Sequence, residues 1–321
     1  MPTAVITGGH SGIGYSCARH LAIQYKWNLV LAGRSPDKMN KAAEELRRET
    51  GVTVTTLALD TSSLASVRAA AAECIAMLGN GELASLDALL CNAGGRFDGP
   101  LAYSEDGYEV TFASNCLGHF LLTCLLAEHM VLAGRIVFTA SGTHDPDTID
   151  GRLVGAVVDP DAVVLANMGK VGSKPISAGK RYSTSKLCNV LNAYELHRRL
   201  RKSRSSMVAM AFDPGSIPDT GFLRTLPKPV QWLAKTTLMK SLSRRLGVTI
   251  GSVGFSGASL ARLAADPAYA GSSGKYLQSN DGRLMETRSS TLSYDEDKAT
   301  KLWNQMTVLV RLQPEETRLS V

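Results

Sequence analysis

Seven short apolar runs, at 4–7, 29–32, 54–59, 86–91, 135–139, 207–212 and 275–278, punctuate this chain, with a segment of helical period between most of them. That rhythm constrains the fold more than any other feature. Consecutive strands that run parallel need a crossover of about a dozen residues or more, and a helix is the usual filling. Repeated strand-helix alternation therefore predicts an α/β fold, a doubly wound parallel sheet with helices on both faces. One long helix is predicted over about 108–132 and another over about 182–201. Repeats and low-complexity tracts are absent from the sequence.

Two stretches break the rhythm, 142–181 and 214–249, the first rich in Gly, Asp, Pro and Val and the second carrying Pro214, Pro218, Pro227 and Pro229. Both follow predicted strands at their carboxyl ends, the side on which open α/β sheets bind ligands. Insertions there are read as pocket walls, the second as a lid, and 1–321 as one domain with a C-terminal extension over 281–321. The lid's apolar residues, Val230, Trp232, Leu233, Leu238, Met239, Leu242 and Leu246, alternate with Lys235, Lys240, Arg244 and Arg245. They suit either a lipophilic substrate or, alternatively, core packing or peripheral contact with a membrane surface.

Composition removes whole classes. Hydrophobic residues at 44% and charged ones at 20% fit a globular chain and exclude fibrous, disordered and disulfide-scaffold proteins. The longest weakly polar stretch, 117–127, contains His119 and Thr123 and falls well short of the roughly 20 residues that span a bilayer, so no transmembrane helix is expected. A strand beginning at Ala4 leaves no room for a signal peptide, and a cytoplasmic location is expected. The six cysteines lie in apolar segments without metal spacing and read as reduced core thiols, with no metal site. The net charge of +6 is concentrated over 198–240 without an aromatic platform for stacking bases, so an anionic ligand is expected and nucleic acid is not. The five cations Arg198, Arg199, Arg201, Lys202 and Arg204 read as a solvated helix end.

Thr7 to Gly14 reads TGGHSGIG between the first strand and a helix beginning near Ile13. Gly8 permits the sharp turn, Gly12 lets backbone approach a pyrophosphate, and Gly14 allows close helix contact, with His10, Ser11 and Ile13 completing the loop. An ordinary strand-to-helix turn would also use these glycines. After the second strand, where an NAD-preferring fold places a carboxylate, stands Arg34, whose planar fork suits a 2′-phosphate and favours NADPH over NADH.

The fourth strand ends in Asn92-Ala93-Gly94, and a predicted helix opens with Tyr-Ser-Thr-Ser-Lys from Tyr182 to Lys186. Together with TGGHSGIG, these motifs resemble the short-chain dehydrogenase/reductase family, over nearly the whole chain. The segments NCLGHFLLTCLL, RIVFTASGTH and YSTSKLCNVL are similar to the branch holding retinol dehydrogenases and light-dependent protochlorophyllide reductases. The resemblance implies a Rossmann-type sheet binding NADPH or NADP+. It assigns Gly8, Gly12 and Gly14 to the pyrophosphate, Asp60 and its neighbour Thr61 to the adenine side, and Asn92, Ala93 and Gly94 to the floor of the site. Pro214 and Gly215 would border the nicotinamide, and Thr220 would meet the carboxamide. Asn115, Ser141, Tyr182 and Lys186 match the family's catalytic tetrad, Tyr182 and Lys186 also holding the cofactor.

Carbonyl reduction needs a hydride on carbon and a proton on oxygen, and a phenol with a pKa of about 10 gives that proton sluggishly unless helped. Tyr182 and Lys186 stand four apart and share a helix face, so an ammonium can favour the phenolate. Ser141 can donate to an oxygen that gains charge, and Asn115 can hold a water leading from Lys186 to solvent. His119, His144 and Cys188 are read as packing residues more than reactive ones. Ser216 and Gly94 stand where the photoreductases resemble Pro-Gly-Cys and Asn-Ala-Ala, which argues against light-driven chemistry. The expected activity is interconversion of carbonyl and alcohol on a hydrophobic small molecule, by a monomer or homo-oligomer. The alternatives are reduction of a carbon–carbon double bond and a non-catalytic NADPH-binding sensor.

Overall fold

The computed structural model describes residues 1–170, 173–217 and 248–319. Strands β1 (Thr3–Thr7), β5 (Arg135–Thr139) and β6 (Val208–Asp213) are buried at every position, which is why they read as continuous apolar runs and not as alternating ones. With β2 (Asn28–Gly33), β3 (Val54–Ala58), β4 (Ala88–Cys91), β7 (Lys275–Asn280) and β8 (Arg283–Glu286), they form one eight-stranded sheet in the order β3-β2-β1-β4-β5-β6-β7-β8. The order reverses direction at β1, between β2 and β4, which opens the crevice that α/β sheets use for ligands. Seven strands are parallel, but β8 returns antiparallel on β7, pairing Leu277 with Glu286, which departs from the expected all-parallel sheet. A tight return at Asp281 and Gly282, both at positive φ, permits this hairpin.

Two apolar layers cover the sheet. On one face α1 (Gly12–His20), α2 (Pro36–Thr50) and α8 (Val253–Ala265) bury Cys17, Leu21, Leu46 and Leu260 against β1 and β2. On the other face lie α3 (Leu64–Gly79), α4 (Val110–His129), α7 (Ala178–Lys202) and α9 (Glu296–Leu309), with Phe120, Leu191 and Trp303 in their common core. All six cysteines are free and buried in these layers. The insertion after β5 carries two short helices, α5 (Ile149–Val154) and α6 (Ala162–Ala166).

Helix α4 starts two residues later than expected and is interrupted by a π-helical turn over Ala113–Leu117, centred on Asn115. By length and composition α4 could cross a membrane, yet 94% of its apolar window is buried inside the protein, as befits a core helix. Helix α7 starts at Ala178, capped by the Ser177 hydroxyl, so Tyr182 sits in its second turn and not at its opening. The C-terminal extension is an integral layer: Trp303 is 1% exposed and meets Phe120 edge to face at 4.8 Å. At the expected solvated helix end Arg201, Lys202 and Arg204 are exposed, and Arg199 alone is buried, against the Trp303 ring at 4.7 Å and bonded to Glu195. Most of the expected lid, including Thr220 and the amphipathic run, lies outside the described residues.

Candidate active site

The glycine loop joins β1 to α1 in the conformations its residues permit. Gly8 and Gly12 take φ of 68° and 55°, the left-handed region that glycine enters without penalty. At Gly14 a Cβ would stand 2.4 Å from the Gly8 carbonyl oxygen, so the helix can pack on its own loop only with glycine there. The resulting amino terminus of α1 opens on a cleft of about 920 Å3. Gly8, His10, Ser11, Gly12, Ile13, Arg34, Thr61, Asn92, Ala93, Gly94, Ser141, Tyr182, Lys186, Pro214 and Gly215 all line it.

Three expected site residues do not face the cleft. Gly14 lies beneath the loop as spacer, and Asn115 is fully buried. Asp60 is drawn into a local turn, its Oδ1 accepting from Ser62 N at 2.9 Å and Ser62 Oγ at 2.7 Å. Its neighbour Thr61 reaches the cleft instead.

The floor is organised by Thr7, a residue of the loop motif that sequence reasoning passed over. Its Oγ1 accepts the Asn92 and Ala93 backbone N–H groups, both at 2.8 Å, while Asn92 Nδ2 donates to Thr7 O at 3.0 Å. With both lone pairs used, the Thr7 hydroxyl hydrogen is left for His119 Nε2 at 2.9 Å. His119 Nδ1 then carries its own hydrogen and donates it to Asn115 O at 3.2 Å. Burial holds this imidazole neutral, lowering its pKa to about 4. His119 thus ties the ends of β1 and β4 to the π turn of α4.

Asn115 Nδ2 donates to Gly95 O at 3.0 Å and to Ser185 Oγ at 2.9 Å, and Oδ1 accepts from Gly95 N at 3.0 Å. Its side chain therefore positions the loop after β4 against α7. Lys186 Nζ donates to Thr139 O at 2.9 Å and lies 5.5 Å from the centre of the Tyr182 ring. Burial lowers the ammonium pKa to about 8, opposed first by Cys116 and then by Asp213. Burial pushes the Tyr182 phenol up to about 12, and the Ser141 hydroxyl pulls it back. Ser141 caps the turn after β5, accepting from Thr143 N. Arg181, next to Tyr182, is anchored by Glu109: Nε stands 3.1 Å from Oε1, though without hydrogen-bond alignment, making this a buried charge pair. Arg181 also donates to Ile176 O and Phe97 O.

Arg34 lines the cleft, and His10 packs on Gly33, where a Cβ would come 3.1 Å from His10 Nδ1. That Nδ1 is buried without a hydrogen-bond partner, as are Thr139 Oγ1 and Thr143 Oγ1. Burial, Lys38 and Arg34, in that order, lower the His10 pKa, so a neutral imidazole stands beside two cations. An open glycine cradle, unpartnered polar atoms and a positive rim fit a dinucleotide phosphate. Past Tyr182 the walls turn apolar, with Phe97, Leu153, Val154, Ile217 and Val248, and Asp150 among them is held by Thr249. Among the described residues no cluster of ligating side chains could hold a metal ion.

Residues 2–147 match the family model described as short chain dehydrogenase. The chain is 31% identical over 325 residues to protochlorophyllide reductase A of Triticum aestivum, covering 96% of this chain and 80% of that one. It is 32% identical over 323 residues to polyprenol dehydrogenase of Danio rerio, covering 97% and 87%. An uncharacterized protein from Mycobacterium paratuberculosis superposes with a TM-score of 0.65 at 26% identity, over 96% of this chain and 93% of that one. L-sorbose reductase from Gluconobacter frateurii, solved with NADPH and L-sorbose, gives a TM-score of 0.62 at 19% identity, over 89% and 97%, and shares the fold. From the glycine loop to the tyrosine–lysine helix, this chain belongs to the short-chain dehydrogenase/reductase family of oxidoreductases.

Proposed function

We propose that this protein is an NADPH-dependent reductase of a carbonyl group on a hydrophobic small molecule, with Tyr182 as the proton donor. The observation that carries this reading is the convergence of Ser141, Tyr182 and Lys186 on the cleft that the glycine loop and Arg34 open. Gly8, Gly12 and the amino terminus of α1 would hold the pyrophosphate, and Arg34 with His10 the 2′-phosphate. When bound, the dinucleotide supplies the hydride.

The chain's own residues do the rest. Ser141 donates to the substrate oxygen as negative charge grows there, in a site whose burial strengthens the bond. The Tyr182 phenol then gives its proton to that oxygen and becomes a phenolate, which solvent reprotonates. Lys186, held by Thr139 O, keeps a positive charge beside the phenolate. Asn115 fixes Gly95 and Ser185 so that the loop and helix keep their spacing. Phe97, Leu153, Val154, Ile217 and Val248 exclude water and select an apolar substrate.

The likeness to protochlorophyllide reductases favours a second reading, in which the same phenol protonates carbon during reduction of a carbon–carbon double bond. One screen separates the two. NADPH absorbance is followed over a panel of aldehydes, ketones and enones, in darkness and under illumination, with Tyr182→Phe in parallel. We expect dark turnover of carbonyls and a loss of about 10²–10⁴-fold in the variant, with nucleotide affinity kept. Full turnover in Tyr182→Phe would remove the assigned donor; tight NADPH binding without turnover of any compound would leave a sensor.

A further inference from the structure

One carboxyl in the apolar part of the cleft is only half satisfied. Asp150 of α5 is 8% exposed and lines the cleft with Leu153, Val154, Ile217 and Val248. Its Oδ2 accepts from Thr249 N at 3.1 Å and Thr249 Oγ1 at 2.8 Å, whereas Oδ1 accepts no hydrogen bond from the described residues. No ion pair to it is found among them either. An acid in the first turn of a helix is ordinary, since the macrodipole favours it. Asp150 does not serve its own helix, however: Thr148 caps α5, its Oγ1 accepting from Gly151 N at 3.1 Å. Asp213, on the other side of Gly142, shows the contrast of a satisfied acid. Its Oδ2 accepts from Tyr276 Oη at 3.0 Å and Gln278 Nε2 at 2.8 Å, and its Oδ1 from Gly215 N at 2.9 Å. A polar atom left open in an apolar pocket wall is the usual orienting group for a ligand.

The carboxyl is fixed close to the reacting centre. A Cβ on Gly142, next to Ser141, would stand 3.3 Å from Asp150 Oδ2, and Thr148 Oγ1 donates to Gly142 O at 3.2 Å. Helix α5 is clamped at both ends by glycine: a Cβ on Gly151 would come 2.0 Å from Asp145 O, and one on Gly179 of α7 would come 1.7 Å from Val154 O. An acid on an element held this way is presented without mobility. We propose that Asp150 selects the substrate: its open oxygen takes a hydroxyl carried beside the reacting carbonyl, so the preferred compound is a hydroxy ketone or hydroxy aldehyde with an apolar body. The inference deepens the reading above and rests on Ser141 and Tyr182 holding the reacting oxygen. Neighbouring Cα atoms are about 3.8 Å apart, so a hydroxyl one or two carbons from the carbonyl spans the step from Ser141 to the acid beside Gly142. A hydroxyl fits better than an ammonium, because apolar walls desolvate a charge at far greater cost. Burial raises the Asp150 pKa and the two Thr249 donors oppose this. A hydroxyl suits both forms of the acid, since it donates to one and accepts from the other.

The test reads affinity, so it needs no turnover. Two matched sets of ketones are titrated into the wild-type protein loaded with NADP+, which carries no hydride to give: acetophenone with its α-hydroxy and α-methoxy derivatives, and benzylacetone with its β-hydroxy and β-methoxy derivatives. The hydroxy member of at least one set should bind about tenfold to a hundredfold more tightly than both of its partners, the worth of a hydrogen bond to a charged group. In Asp150→Asn the amide can still accept from Thr249 but turns its NH2 to the cleft, and the ratio should fall to about threefold or less. Thr249→Val removes one donor to Oδ2 and leaves the open oxygen, so there the ratio should persist. Equal affinities within both sets, tighter binding of the methoxy members, a hydroxy preference that survives Asp150→Asn, or one lost equally in Thr249→Val overturns the proposal. Failure of the underlying reading appears separately, with NADPH, as no turnover of any ketone by the wild type or as retained turnover in Tyr182→Phe.

Discussion

Truncating Trp303 tests whether the C-terminal helix is structural. Its indole is 1% exposed, lies edge to face with Phe120 at 4.8 Å with planes at 80°, and carries the Arg199 guanidinium 4.7 Å above its centre. Phe120 belongs to the helix that holds Asn115, and Arg199 to the helix that holds Tyr182, so one side chain braces both. Trp303→Ala removes the buried surface and leaves a cavity, a loss of about 3–5 kcal/mol. Unfolding entropy is about 2.1 cal/mol/K per residue, which makes roughly 0.7 kcal/mol/K for a chain of 321 residues. A loss of about 4 kcal/mol then lowers Tm by about 6 °C. Trp303→Phe, which keeps an aromatic face for both neighbours, should lose less than half of that. Scanning calorimetry of the three proteins at one concentration and pH measures the difference. A fall of less than about 2 °C in Trp303→Ala would refute the argument that α9 is part of the core.

Three further outcomes follow from the site. Arg34→Ala should weaken NADPH binding by roughly tenfold to a hundredfold, the worth of a charged hydrogen bond, and leave NADH binding unchanged in the same fluorescence titration. Glu109→Ala strands the Arg181 charge, which is 6% exposed, and should cost about 3–5 kcal/mol in urea unfolding, with Arg181→Met restoring part of it. His119 has a folded pKa of about 4 against the ordinary 6.5, so the unfolded chain binds its proton first. Its contribution is complete above about pH 6.5 and is lost as pH falls toward 4, on the order of 3 kcal/mol in all. His119→Gln should flatten that part of the curve of stability against pH, and an unchanged acid limb would remove His119 as its source.

How far these features can be read from sequence depends on the distance between partners. The buried strands announce themselves as apolar runs, because both faces of each meet helices. The glycine loop does so because φ at Gly8 and Gly12, and packing at Gly14, are local demands. Strand β8 does not: its four residues are mostly exposed and carry no apolar period. The π turn around Asn115 is equally silent, since an extra residue in a helical turn is held by Gly95, Ser185 and His119 from outside the turn. Glu109 and Arg181 meet only because α4 packs on α7. Helix α9 was legible in principle, with Asp295 as cap, acids at 296 and 297, and Ala299, Leu302, Trp303 and Met306 at helical spacing. Asp213 had only a faint signal, a lone acid closing an apolar strand.

The hairpin at the sheet's last edge has an engineering consequence. Because β8 doubles back on β7 and presents Arg283 and Glu286 to water, the edge is short and charged, a poor template for another chain's strand. The same reversal carries the remaining polypeptide to the far face, where it shelters Phe120 and Leu191. A version shortened after Asn280 would forfeit both protections, and expression trials should find it in inclusion bodies, with its glycine loop and tyrosine–lysine helix intact in sequence yet out of reach in practice.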